Sequence, residues 1–200
     1  MGEVDGSRAR AADGGAAAGG ERLAGIILGF PERVARELKA WRASFGDPLA
    51  EVIPAHITLV TTTLTQDWDE TVRHVREVAA RAVPFRVGLD GTGSFRPVSP
   101  VVYVQVKEGF EECVRLHAEL QRGPLERELP FPYHPHVTVA HDVPEERLEE
   151  AEAALSSYSE SFTVASMGLY EHDAGGFWKL REELEFGAST DRASGSGRAG

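Results

Sequence analysis

The sequence predicts an α+β domain of two similar lobes, and three observations carry that reading. Short apolar, β-branched runs alternate with helix signatures along residues 21–187. The order strand, helix, strand, helix, strand occurs once in each half. Each half also places a histidine two positions before a threonine inside an apolar run, in "HITL" at 56–59 and "HVTV" at 136–139, 80 residues apart. Two copies do not make a solenoid. They make a duplicated lobe, and a pseudo-twofold between the copies sets matching strands face to face across a cleft.

Each element has a local cause. "RLAGIILGF" (22–30) is a strand, and Pro31 suits the first turn of a helix running to about Phe45. "HITLV" (56–60) is a short strand. Asp67 is placed to N-cap a helix to about Ala82, with Glu70 at capping-box spacing. "FRVGLDGTG" (85–93) alternates as a strand, and "SFRPVSP" follows as a loop. In the second half, "VVYVQV" (101–106) is a strand, Gly109 to Gln121 a helix, "HVTVA" (136–140) a strand, and Pro144 begins a helix to about Ser157. "FTVASMGLYEH" (162–172) and "GFWKLREELEF" (176–186) are read as two closing strands joined by a hairpin turn at "DAGG" (173–176). The Gly/Ala-rich residues 1–20 and the Gly/Ser/Ala-rich residues 188–200 read as disordered tails.

On a strand, residues i and i+2 share a face. His56 therefore projects with Thr58 while Ile57 and Leu59 turn inward, and His136 projects with Thr138 while Val137 and Val139 turn inward. Two such strands facing across a cleft bring two imidazoles and two hydroxyls to one pocket. That set suits phosphodiester chemistry. A neutral imidazole takes a proton from attacking water, an imidazolium gives one to the leaving oxygen, and the hydroxyls hold the non-bridging oxygens. Histidine can do both jobs because its ordinary pKa is about 6.5. No metal or other cofactor is needed.

Composition narrows the substrate and the setting. The chain carries a net charge of −11, and the two tails cancel, so the excess lies on the folded part. Such a surface repels a long polyanion but admits a small nucleotide or an RNA end. One cysteine, Cys113, excludes an internal disulfide framework, and its helical apolar setting makes it a buried bystander. No apolar stretch approaches the roughly 20 residues that span a bilayer, and the N-terminus lacks the pattern of a secretory signal. The expectation is a cytoplasmic monomer without membrane contact.

"HITL" and "HVTV" resemble the paired signature of the two-histidine phosphoesterases, most closely the 2′-5′ RNA ligase-like, RNA 2′,3′-cyclic phosphodiesterase branch. The resemblance runs from Leu23 to Phe186 and includes the closing "W…F-G" strand at Trp178–Gly187. It implies a bilobed α+β fold whose antiparallel sheets, each bearing one motif, face a central groove with helices outside. It also implies opening of 2′,3′-cyclic phosphates or related cyclic diesters, in some members with 2′-5′ joining of RNA ends. By resemblance His56 is the general acid and His136 the general base, with Thr58 and Thr138 on the phosphate. One departure stands out: where bacterial RNA-directed members often have arginine, three places after the second threonine, this chain has His141.

The other conspicuous residues are weaker. His134, His136 and His141 could suggest a metal, but His141 has odd spacing and should point away, and no acidic third ligand is in place. His134 is a rim or structural group. Phe95, Phe131 and Tyr133 flank the cleft and are candidates to stack on a base, with core packing as the alternative. Arg86 and Arg96 are candidate phosphate contacts. His74 and His117 read as surface or packing residues, and His172 as exposed. "GTGSF" (91–95) follows a strand without opening a helix, which makes it a poor nucleotide fingerprint. A non-catalytic nucleotide-binding module using the same cleft is the competing reading, and a metal-dependent hydrolase a third.

Overall fold

A computed structural model describes residues 22–172 and 178–187. The expected tails at 1–20 and 188–200 and the expected turn at 173–176 lie outside the described residues. The elements are β1 (Arg22–Leu28), α1 (Glu32–Ser44), β2 (Ile57–Thr65), α2 (Trp68–Arg81), β3 (Phe85–Ser94), β4 (Val101–Glu108), α3 (Phe110–Leu120), a 3-10 turn (Gly123–Leu125), β5 (His136–His141), α4 (Glu145–Ala154), β6 (Ser159–Val164), β7 (Ser166–His172) and β8 (Trp178–Glu185). They form two four-stranded sheets with every pairing antiparallel, in the orders β2-β1-β7-β8 and β5-β4-β3-β6. The fold is the expected bilobed α+β architecture.

Helix starts follow their sequence signals. The Asp67 carboxylate accepts from the Glu70 N–H at 2.9 Å, capping α2. Pro31 and Pro144 stand immediately before α1 and α4, and their carbonyls accept the first helical bonds. The apolar stripes turn inward, Val34 and Leu38 on α1 and Val75, Val78 and Ala79 on α2.

Two features depart from a simple reading of the halves. The run 162–172, expected as one strand, is two strands in different sheets, broken at Ala165. Burial changes phase there: Phe162 and Val164 are buried before the break, Met167 and Leu169 after it. A change of parity is what a chain crossing between sheets requires, because each sheet claims alternate residues. The halves also exchange elements. β3 closes the first half in sequence yet pairs with β4 and β6 in the second sheet, while β7 and β8 complete the first sheet beside β1. Helix α1 lies against β5, and α3 against β2. One continuous core results, with Ile57, Leu59 and Val60 of β2 and Val137, Val139 and Ala140 of β5 among its members. The exchange leaves β2 and β5, the two motif strands, at the sheet edges and next to each other.

Candidate active site

The two motif histidines are held in the same way. His56 lies immediately before β2, and its Nδ1 donates to the Pro54 carbonyl at 2.7 Å. His136 opens β5, and its Nδ1 donates to the His134 carbonyl at 2.7 Å. In each case the acceptor sits two residues earlier, so the strand's own entry fixes ring and tautomer together. With Nδ1–H committed, the neutral ring carries its lone pair on Nε2. In His56 that atom accepts from the Thr58 hydroxyl at 3.1 Å.

Both motif strands bulge at the residue after the threonine. Along β1, consecutive Ile26 and Ile27 oppose Val60 and Thr58, so Leu59 is the extra residue. Along β4, consecutive Val102 and Tyr103 oppose Ala140 and Thr138, so Val139 is the extra residue. A bulge shifts side-chain parity by one. Leu59 and Val60 are therefore both buried, as are Val139 and Ala140. The same shift turns His141 toward the pocket that His136 and Thr138 line. The expectation that His141 points away is thus corrected: it assumed an unbroken period of two, which the bulge interrupts.

Donors from the second half hold the first bulge. An edge strand has carbonyls without a ladder partner. Tyr133 Oη donates to the Thr58 carbonyl at 2.9 Å, and His117 Nδ1 on α3 donates to the Leu59 carbonyl at 2.7 Å. Their rings stack, 3.9 Å between centroids and 6° between planes. His117 is thereby a buried brace of the site rather than a surface group, and Tyr133 is a brace whose far side lines the cleft.

The second bulge is backed by rings. Phe95 meets His136 edge-on at 4.9 Å, Tyr103 meets it at 5.3 Å, and both also touch His134. The second glycine of "GTGSF" acquires a purpose here. A Cβ on Gly93 would come within 2.7 Å of the Tyr103 ring, so only glycine lets that ring lie flat beside the strand.

Burial pushes both motif histidines below the ordinary imidazole pKa, because an imidazolium loses its hydration there. The carbonyl bond to Nδ1 opposes the shift in each. Beyond that the two differ: the Arg42 guanidinium and then His136 lower His56 further, whereas His134 is the further influence on His136. Arg42 is buried at the end of α1 (5% exposed), ion-paired with Asp47 at 2.9 Å and bonded to the Ile53 carbonyl at 2.6 Å.

Two hollows meet at the dyad. A small polar one of about 150 Å³ is lined by Arg42, His56, Thr58, His136, Thr138 and His141. An apolar one of about 540 Å³ opens on the other side, sharing Thr58 and His136 and walled by Phe95, Phe131, Tyr133 and His134. Phe131, 62% exposed, is the ring on this wall with an uncovered face. A groove of about 570 Å³ between α2 and α3 contains neither motif.

Two candidate residues are elsewhere. Arg96 is tied to Glu145 and Glu152 of α4 and to Ser94, and Arg86 to Ser161 and Glu108. Neither lines either hollow. Position in sequence makes both look available, because it does not reveal the acidic helix face that claims Arg96. His172 is half-buried against Trp178 rather than exposed. Cys113 is buried, its thiol pushed up to about 12 by desolvation, as suits a bystander. The residue that sequence reasoning misses is Arg42. Its signal is present: it continues the inward stripe Val34, Leu38 at intervals of four, where a charge is out of place.

Known proteins resemble this chain in sequence and fold. The model of the 2′-5′ RNA ligase superfamily matches residues 30–176. A Bacillus licheniformis protein named "Putative phosphoesterase" is 31% identical over 171 residues, covering 82% of this chain and 98% of its own. A Bacillus pumilus protein of the same name is 29% identical over 167 residues, covering 82% and 96%. Among solved structures, E. coli LigT superposes with a TM-score of 0.60 at 18% identity, over 84% of this chain and 99% of its own. The Thermus thermophilus protein TT0787 gives 0.59 at 21% identity, over 82% and 98%. At these identities the superpositions speak for the fold, while the family match spans both H-x-T strands and most of the chain. The chain belongs to the 2′-5′ RNA ligase superfamily, the two-histidine phosphoesterases.

Proposed function

We propose that this phosphoesterase opens 2′,3′-cyclic phosphates, on RNA ends or small cyclic nucleotides, by metal-independent acid–base catalysis between His56 and His136. The observation that carries the reading is the matched pair of imidazoles, each fixed at Nδ1 by the carbonyl two residues before it, beside two threonines of one small polar pocket. A phosphate-sized polar hollow joined to a larger apolar one fits a substrate with a charged diester at one end and a base at the other. LigT, a structural relative, has been solved with 3′-AMP, NADP+ and ATP, all phosphate-bearing nucleotides.

In the proposed step His136 Nε2 takes a proton from water as the oxygen attacks phosphorus. The bond from phosphorus to one ribose oxygen breaks, and His56, protonated, returns a proton to that oxygen. Thr58 and Thr138 donate to the non-bridging oxygens. Arg42 disfavours the imidazolium of His56 in the free protein, and the negative phosphodiester offsets this once bound. With a ribose 5′-hydroxyl in place of the attacking water and the ribose 3′-oxygen as the leaving group, the same groups join two ends through a 2′-5′ diester. The −11 charge confines an RNA substrate to its terminus.

Incubation with the four 2′,3′-cyclic nucleotides and a short cyclic-phosphate RNA in EDTA tests the proposal. Turnover by the wild type and none by His56→Ala/His136→Ala is the expected outcome. Tight nucleotide binding without turnover across the panel would establish the binding-module reading instead, and loss of all activity in EDTA the metal-dependent one.

A further inference from the structure

A phosphodiester site needs fixed positive charge, and this one sits in an acidic protein whose second motif is followed by His141 rather than by a lysine or arginine. Among the described residues lining the two hollows, Arg42 is the only arginine or lysine. It arrives from a different element, the last turn of α1, which the exchange between halves lays against β5. Nε is held by Asp47 and Nη1 by the Ile53 carbonyl, while Nη2 makes no bond to a described residue. Asp47 is itself anchored by the Leu49 N–H at 2.9 Å. A guanidinium clamped on two sides needs no ordering when a ligand comes, and its remaining donors match a phosphate oxygen.

We propose that Arg42 is the phosphate-binding cation of this cleft, its guanidinium hydrogen-bonding a non-bridging oxygen of the diester held between His56 and His136. The inference rests on the phosphodiesterase reading above. It makes the α1–β2 connection part of the binding machinery, and it gives the two lobes a division of labour: the cation comes from the first-lobe side and the aromatic support from the second. The competing role is purely structural, Arg42 and Asp47 bracing residues 45–55. His56 is faced by Arg42 and Asp47 from α1 and its following connection and by His136 and His141 from β5, so loss of the guanidinium eases its protonation under either role. The two roles differ in phosphate affinity: a lost phosphate ligand weakens it in a variant that stays folded, whereas a lost brace alone lowers melting.

The test compares wild type, Arg42→Lys and Arg42→Met/Asp47→Leu. The double substitution removes the pair as a unit, which buried pairs commonly tolerate, whereas Arg42→Met alone strands a buried carboxylate. Binding of inorganic phosphate and of 3′-AMP is followed by calorimetry, and kcat/KM for 2′,3′-cyclic AMP is followed against pH, with melting as the check on folding. The double variant should bind phosphate about tenfold or more weakly, the size of a lost charged hydrogen bond. Its kcat/KM limb governed by His56 should move to higher pH. Arg42→Lys should restore that limb while recovering only part of the affinity. A folded double variant with wild-type phosphate affinity overturns the assignment of Arg42, wherever its limbs lie, and leaves the phosphodiesterase reading intact. If the double variant does not fold, Arg42→Lys decides, because unchanged phosphate affinity without the planar fork overturns the assignment too. A wild type that neither binds phosphate nor turns over the substrate overturns both.

Discussion

The two motif strands are nearly the same object in different electrical surroundings. β2 and β5 share the histidine anchored to its i−2 carbonyl, the threonine two places on, and the bulge at the next residue. They diverge after that bulge and in what backs them. Three places beyond the threonine, Thr61 lines the apolar hollow, whereas His141 lines the polar one. His56 has a buried guanidinium for a neighbour; His136 has Phe95, Tyr103 and His134. The two strands present matched imidazoles, and the walls are what differ: the guanidinium beside His56 disfavours its imidazolium in the free protein, so the proposed acid role of His56 depends on the charge of a bound phosphodiester.

Breaking one imidazole at a time is the harshest test of that comparison. His56→Ala and His136→Ala should each lower kcat/KM on a 2′,3′-cyclic nucleotide by about 10²–10⁴. On an activated aryl phosphodiester, whose leaving group needs no proton, His56→Ala should lose far less than His136→Ala. Equal losses on the aryl ester would remove the assigned roles. Thr58→Val and Thr138→Val come next, each costing up to about 10² in kcat from a lost donor to the developing charge. Because Thr58 also bonds His56 Nε2, its loss should disturb the pH profile as well, whereas that of Thr138 should not. His141→Arg sharpens the difference after the bulge: a second guanidinium in the polar hollow should tighten phosphate binding by up to about tenfold. Smallest is Tyr133→Phe, which removes the bond to the Thr58 carbonyl and should cost about 1 kcal/mol of stability, read by urea unfolding.

Much of this is legible in the residues because the controlling features are local. Same-face pairing of His56 with Thr58 and of His136 with Thr138 needs only strand periodicity, and the cap at Asp67 needs only the side chain and three following residues. What stays hidden depends on partners distant in the chain. The bulges at Leu59 and Val139 arise from how β2 and β5 register on β1 and β4, so the direction of His141 does not follow from counting. The exchange of β3 and β7 between sheets is set by tertiary packing, although the parity change at Ala165 is its trace. Arg96 looks available in the sequence because Glu145 and Glu152 lie 49 and 56 positions away. Arg42 looks like a surface charge on an amphipathic helix, yet its i, i+4 relation to Leu38 places it on the inward face.

The profile of kcat/KM against pH in EDTA tests the central claim most directly. Burial lowers both imidazole pKa values, so in the free enzyme the acid loses its proton below the ordinary value of about 6.5. A bell with its maximum on the acid side of about pH 6.5 is expected, from which each single-histidine variant deletes one limb. The alkaline limb of kcat should lie higher than that of kcat/KM, because the bound phosphodiester anion favours the imidazolium. A flat or one-sided profile, with both limbs indifferent to His56 and His136, would contradict a two-histidine acid–base site.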